Sequence, residues 1–284
     1  MMPEIGLCWG TISPATLVET IEAAARHGFP TITVDPVLYY DSLGAGLDAA
    51  RLRRHLSDAG VKVRVIDGIW TGIAGLPSEP MRVGDTLFTR YNAAQCLEVA
   101  EALGAPIISF GHYLGDPVPR DAIAEGVGAA CRLASTGGVT IVLEFIVESG
   151  MPSIAEAQAV ALECGEPNCG VLVDTWHWSR TGATLDDLRT LPPGAIKAFQ
   201  INDRVPPAPG AEYVPMSGRL LPGDGELPLR EIIEAGLANN PDLTFEVEVF
   251  NAELRALSPD AAAARVADAV NRLRQGEAQE NTGK

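Results

Sequence analysis

Short runs of branched and aromatic apolar residues recur along the chain, each followed by a polar group or a turn. Residues 5–9, 31–34, 61–66, 106–110, 140–145, 170–174, 195–201 and 244–250 are eight such runs. Their length and β-branched content predict strands. Between them, apolar residues fall at helical spacing. Ser13-Pro14, a capping side chain followed by a proline, predicts the start of a helix that closes at Gly28. Further helices are predicted from about Leu47 to Ala59, Asp85 to Leu103, Asp121 to Leu133, Thr184 to Leu191, Leu229 to Ala238 and Ser258 to about Arg274. Another opens at Ser153, where Glu156 completes the pattern of a capping box. Long loops are expected at 67–84 and 204–228, after the third and seventh strands, and loops of that length are usually functional.

The strand–helix unit thus recurs about eight times, at the ~30-residue spacing of such repeats. The expectation is an α/β protein, a single-domain (β/α)8 TIM barrel over residues 1–275, with residues 276–284 a polar tail expected to be disordered. The rival is an open, doubly wound sheet, which carries a glycine-rich phosphate loop after its first strand. CWGTISPA, the segment in that position, offers none.

Composition narrows the partners. The chain is 46% hydrophobic, which excludes a disordered protein. A formal charge of −16 repels a phosphate backbone, so no nucleic-acid partner is expected. No apolar run approaches the ~20 residues of a membrane span, and MMPEIGLCWG shows no signal peptide. The five cysteines (Cys8, Cys96, Cys131, Cys164 and Cys169) match no zinc spacing and read as reduced thiols of a cytoplasmic protein. Nothing here fixes the oligomeric state, which leaves room for a homo-oligomer.

The candidate chemistry sits at the ends of the late strands. VTIVLEF carries Glu144, GVLVD ends in Asp174, IKAFQIND carries Gln200, Asn202 and Asp203, and LTFEVEVF carries Glu246 and Glu248. Ligands bind at the carboxyl ends of parallel strands, and adjacent strands lie ~4.8 Å apart. Side-chain oxygens from four neighbouring strands can therefore surround one hard divalent cation. Glu246 and Glu248 share parity and both point inward, so either could be the last ligand.

Several of these stretches resemble a known family. LEF at 143–145, VDTWH at 173–177, FQIND at 199–203, GRLLPGDGELPL at 218–229 and EVFN at 248–251 are similar to segments of the xylose-isomerase-like barrels. That group takes in sugar phosphate isomerases and epimerases, inosose isomerases and dehydratases, 3-dehydroshikimate dehydratases and endonuclease IV. The resemblance runs from about Thr140 to Leu254 and is specific for the superfamily, not for a substrate. It implies metal ligands at Glu144, Asp174, Gln200 and Glu248, the last preferred because Val-Phe-Asn follows it. Glu246 would then lie one layer deeper and need a hydrogen-bonding partner. Many sugar epimerases have histidine where this chain has Gln200, and glutamine there resembles the dehydratase-like branch. An all-oxygen set favours Mn²⁺ or Mg²⁺ over Zn²⁺.

The implied activity is that of a metal-dependent isomerase or epimerase on a small polyhydroxy carbonyl compound. The cation acidifies the C–H beside a carbonyl and holds an enediolate, while Glu144 and Glu248 move the proton. Expelling a β-hydroxyl from the same intermediate gives the alternative, a dehydratase of the 3-dehydroshikimate or inosose type. His177, Arg219, His112 and Trp176 are the expected substrate contacts, with Trp9 and Trp70 as further wall candidates. A nuclease on this fold needs a histidine-rich site and a basic face, against which stand four histidines and the −16 charge.

Overall fold

Eight parallel strands close into a barrel in chain order: β1 Ile5–Cys8, β2 Thr31–Val34, β3 Lys62–Ile69, β4 Ile107–Gly111, β5 Thr140–Glu144, β6 Cys169–Asp174, β7 Ile196–Ile201 and β8 Phe245–Val247. β8 pairs back onto β1, with Ile5 opposite Phe245, so no sheet edge is left open. This is the single-domain TIM barrel expected from the strand–helix repeat. The computed structural model describes residues 3–281 except 84–85, 148, 207, 209, 211–213 and 215–216.

Strand parity divides the interior into layers. Val65, Ile107, Val142, Leu172 and Ala198, from five consecutive strands β3 to β7, meet as one apolar cluster inside the barrel. The side-chain period of a strand is two. Two residues further along each strand therefore stand Asp67, Ser109, Glu144, Asp174 and Gln200, one layer nearer the carboxyl end. Residues of the opposite parity, among them Phe110, Leu143, Val173, Phe199 and Phe245, are fully buried in the larger core under the surrounding helices. The fold thus places an apolar plug beneath a polar layer and leaves that layer facing the mouth.

Helix boundaries differ from expectation where local chemistry decides them. α1, Leu17–Arg26, starts after Thr16 and not at Ser13. The Thr16 hydroxyl accepts from the Glu19 N–H at 3.2 Å and the Glu19 carboxylate accepts from the Thr16 N–H at 2.8 Å. Ser13 has no acidic partner three residues on. α2, Pro36–Gly44, is an addition: Asp35 accepts from the Val37 N–H at 2.7 Å and Pro36 fills the first turn. α3, Ala49–Ala59, follows as expected. α4, Ala93–Leu103, begins eight residues after Asp85, because Met81–Val83 and Thr86–Phe88 pair as an antiparallel ribbon and Asn92 with Gln95 makes the cap. Asp85 itself lies outside the described residues.

α5, Arg120–Ser135, and α6, Ile154–Glu163, follow their strands; Ser153 caps α6 by accepting from the Glu156 N–H at 3.2 Å. Two short helices come next, α7 Thr175–Arg180 and α8 Leu185–Arg189. α9, Leu229–Asn239, covers β7, and α10 is the single turn Ala252–Arg255. α11 runs Pro259–Asn281, so residues 276–281, expected as tail, continue the helix; 282–284 lie outside the described residues. Among the described residues no helix is long and apolar enough to cross a membrane.

Candidate active site

Asp174 ends β6 and is fully buried. Its Oδ1 accepts from the N–H groups of Trp176 (2.7 Å) and His177 (3.2 Å), capping α7, and from Nδ2 of Asn202 (3.0 Å). Asn202 also donates to the carbonyl of Glu248 at 3.1 Å, tying the ends of β6, β7 and β8 together. Oδ2 of Asp174 accepts from Arg219 Nη1 at 2.8 Å. The same nitrogen lies 2.6 Å from Oε2 of Glu248.

Arg219 comes from the loop after β7, where Arg219–Leu220 pairs with Asp203–Arg204 as a two-residue ribbon. Asp203 shapes that loop: Oδ1 accepts from the N–H groups of Arg204 and Leu227, and Oδ2 from that of Gly223. Asn251 holds the Arg219 carbonyl at 3.2 Å. The guanidinium carbon sits 5.1 Å from the Trp176 ring centre and 5.4 Å from that of Phe250. A cation is thus held between aromatic faces and carboxylates, out of water.

Above this floor opens a cleft of about 520 Å³, counting space open to solvent. Its polar lining is Asp67, Glu144, His177, Arg219 and Glu248. Its apolar wall is Trp9, Trp70, Met81, Tyr113, Ile146 and Phe250. Burial pushes the Glu144 carboxyl well above the usual range, and the charges of Glu248, Asp174 and Asp67 push it further. Burial likewise raises Glu248, against the pull of Arg219. Asp174 goes the other way: burial would raise it, but the Arg219 guanidinium and the hydrogen bonds the carboxylate accepts hold it below the ordinary carboxylate range. The Arg219 guanidinium, despite burial, is held protonated by Asp174, Glu248 and Glu144.

His177 is neutral. Burial lowers it to about 3, with Arg219 and Arg180 adding to the effect against Asp174. Arg219 Nη2 lies 3.2 Å from Nε2 of the ring. A guanidinium has only protons to offer, so Nε2 accepts and the ring proton is on Nδ1. Nε2 also lies 3.5 Å from Oε1 of Glu144.

The donor set fits a divalent cation. Among the described residues, four buried carboxyls, Asp67, Glu144, Asp174 and Glu248, stand in this layer beside one guanidinium, that of Arg219, which pairs with Asp174 and Glu248, leaving negative charge to be balanced. Gln200 donates through Nε2 to Oε1 of Glu248 at 2.8 Å, and its own Oε1 is buried with no hydrogen-bond partner. Ligand atoms of Glu144, Asp174 and His177 lie within 4.8 Å of one another, and so do those of Cys8, Asp67 and Glu248. Of the expected ligands Glu144, Asp174, Gln200 and Glu248, Glu144 and Asp174 fall in the first of these groups and Glu248 in the second, and Arg219 engages Asp174 and Glu248. His177 would join the set only where the ion displaces Arg219 from its Nε2.

Among known proteins, the family model described as xylose isomerase-like TIM barrel matches residues 21–275. The chain belongs to this family. Solved structures agree on the fold. The chain is similar to the IolI protein with a binding zinc atom (TM-score 0.77, 15% identity, 95% of this chain and 96% of that one). It is similar to D-psicose 3-epimerase determined with D-fructose (0.70, 18%, 96% and 98%). A third is the probable 3-DHS dehydratase AsbF of Bacillus anthracis (0.68, 15%, 92% and 97%). A search of curated protein sequences returns no match.

Within this xylose isomerase-like barrel, Glu248 lines the cleft and Glu246 does not. Glu246 is buried, with Thr244 Oγ1 at 3.3 Å as its partner. Trp176 and His112, expected to touch substrate, do not line the cleft. Trp176 packs under the guanidinium groups of Arg219 and Arg180. His112 is buried against the backbone of Gly75, Gly115 and Gly150, and its Nδ1 accepts from the Gly150 N–H at 3.2 Å. Asp67 is the polar cleft residue the sequence reading missed, and Met81, Tyr113, Ile146 and Phe250 are wall residues it did not name. Oδ2 of Asp67 accepts from Trp9 Nε1 at 3.0 Å and its Oδ1 from Ser109 Oγ at 2.8 Å. The signal was parity: β3 runs on to Ile69, and Val65 and Asp67 alternate onto the inner face.

Proposed function

We propose that this protein is a divalent-metal-dependent isomerase or epimerase that moves a proton next to the carbonyl of a small polyhydroxy compound. One observation carries the reading: the buried carboxyls of Glu144 and Glu248 line one cleft beside a fixed guanidinium, that of Arg219. A carboxylate beside a bound cation can take a proton from an acidified C–H, and a second one can return it. A Mn²⁺ or Mg²⁺ ion held by Glu144, Asp174, Gln200 and Glu248 would acidify the C–H beside the carbonyl and offset charge on oxygen.

The chain's own groups supply the rest. Glu144 accepts the proton on one side of the substrate, and Glu248 returns it on the other. Arg219, whose Nε is buried without a partner, offers a donor to a substrate oxygen. Neutral His177, held by Arg219 at Nε2, stands beside Glu144 without adding charge. Trp9, Trp70, Tyr113 and Phe250 pack against the C–H faces of the substrate and exclude water. The carboxylate lining disfavours nucleic acid, and five unpaired thiols support a reducing, cytoplasmic setting.

Gln200 favours a second reading, since glutamine in that position resembles the dehydratase-like branch. The same proton removal followed by loss of a β-hydroxyl makes the protein a lyase. Incubation in D₂O with ketoses, inososes and 3-dehydroshikimate distinguishes the two. Deuterium entering the carbon beside the carbonyl, and ceasing on chelation, is the expected result. Formation of an unsaturated product without such exchange assigns the dehydratase. Full activity after metal removal counts against both.

A further inference from the structure

A second group of ligating side chains lies away from the cleft. The sulfurs of Cys131, Cys164 and Cys169 are within 4.8 Å of one another. They were unrelated thiols on spacing alone, because the third comes from another element. Cys131 is on α5 and fully buried, Cys164 is the half-buried residue that closes α6, and Cys169 begins β6. The connecting segment CGEPNC turns back through Gly165, at φ 72°, and through a bond from the Cys169 N–H to the Glu166 carbonyl at 3.2 Å. The side-chain amide of Asn168 donates to the carbonyls of Cys131 (2.8 Å) and Val139 (2.9 Å), locking this turn to α5. An Arg132–Glu166 ion pair at 2.8 Å spans the same junction. Hydrogen bonds that do not involve the sulfurs therefore fix where the three thiols stand.

We propose that Cys131, Cys164 and Cys169 bind a thiophilic divalent cation of the zinc class, at the amino-terminal end of the barrel. Zinc–sulfur bonds of ~2.3 Å put tetrahedral thiolates about 3.8 Å apart. The sulfurs, all within 4.8 Å of one another, stand near that separation already. Each thiol releases its proton to solvent as its bond to the metal forms. Solvent completes the coordination on the open side of Cys164. Three sulfurs select a softer ion than the oxygen-rich cleft, so the two sites divide the available metals by ligand type. Cys169 and Asp174 bracket β6, which sets the sites about 16 Å apart at ~3.3 Å per residue. At that end of the barrel the role is structural: the ion fastens α5, α6 and β6 together.

The test uses the full chain, reduced and stripped of metal. Titration with Cd²⁺ should produce a thiolate-to-metal charge-transfer band that saturates at one equivalent. The band should be lost in Cys131→Ser and Cys169→Ser and kept in Glu144→Gln, which alters only the cleft. Zn²⁺ should block alkylation of Cys164 in the wild-type protein, and this decides the matter if the buried serine variants do not fold. No band in reduced wild-type protein, or Cys164 alkylated equally with and without Zn²⁺, overturns the proposal. So does a band that survives both serine substitutions, or a disulfide between two of the three in place of metal uptake.

Discussion

Arg219 donates to Glu248 at 2.6 Å with both side chains out of water, and the same nitrogen reaches Asp174 at 2.8 Å. One cation therefore neutralises two of the four groups expected to hold the metal. Removing one partner of a buried pair leaves the other charge uncompensated, at a cost of roughly 3–5 kcal/mol. Arg219→Ala should lower the melting temperature of the metal-free protein. Added Mn²⁺ should restore more stability to the variant than to the wild type, because the ion takes over the neutralising role. Melts with Mn²⁺ and with chelator check this; equal gains in both proteins would mean that ion and guanidinium do not act on the same carboxylates.

Glu144 and Glu248 differ in their surroundings. Glu248 is held by Gln200, Arg219 and the Cys8 thiol, whereas among the described residues the polar contact of Glu144 is His177 at 3.5 Å. Glu144→Gln should fold normally and lose at least ~100-fold in proton exchange, the scale of a missing general base. Glu248→Gln should lose as much and also bind Mn²⁺ more weakly. Exchange rates at saturating metal, set beside calorimetric metal affinities, separate the two roles.

How much of this was legible follows from what each residue type reports. β2 was read at its observed bounds because Thr31–Val34 is four buried, mostly branched residues between turns. Asp174 and Gln200 were found because each closes a long apolar run. Asp67 was passed over because Gly68 follows it and the glycine-rich stretch beyond read as loop, although β3 continues to Ile69. The space there is set by contact: a Cβ on Gly68 would lie 2.7 Å from the Ser109 carbonyl oxygen. The Arg219 bridge was invisible, since its loop is bent back by Asp203 bonds that span more than twenty residues. The ribbon at 81–88 defeated the helix expected from Asp85, because propensity does not report a pairing partner.

Close approach at Gly68 makes a prediction of its own. Gly68→Ala must push the Ser109 strand or the Asp67 peptide aside, an overpacking cost of about 1–3 kcal/mol. Ser109 and Asp67 are bonded to each other, so the displacement should also raise KM. Denaturant unfolding and steady-state kinetics on the variant check this. A wild-type midpoint would show that the two strands separate easily here.

Glu246 gives the fold a dependence on pH. Burial raises its carboxyl to about 7 from an ordinary 4.5, against the pull of Arg64 and Thr244. The folded protein then binds this proton more tightly than the unfolded chain does. The stabilisation is complete below about pH 4.5, declines as pH rises through 7, and is constant above that. A shift of this size corresponds to about 3 kcal/mol. Glu246→Gln should thus be more stable than wild type at pH 8, with the advantage vanishing towards pH 4.5. Urea midpoints of both proteins across this range measure it, and a difference independent of pH would mean that Glu246 does not titrate between the two states.

On the proposed ligand set, Gln200 sets which ion the cleft prefers. Its Nε2 is committed to Glu248, which leaves Oε1 buried, unpartnered and on the inner face beside Asp174, its register partner on β6. An oxygen so placed suits Mn²⁺ or Mg²⁺; an imidazole nitrogen suits zinc. Gln200→His should therefore shift the ratio of Zn²⁺ to Mn²⁺ affinity towards zinc, while Gln200→Ala should weaken both ions and free Glu248 Oε1 from its donor. Calorimetric titrations of the two ions into metal-free protein give the ratio directly. The cysteine site would contaminate the zinc reading, so the comparison belongs in a Cys164→Ser background. An unchanged ratio there would remove Gln200 from the ligand set and leave Glu144, Asp174 and His177 as the group that holds the ion.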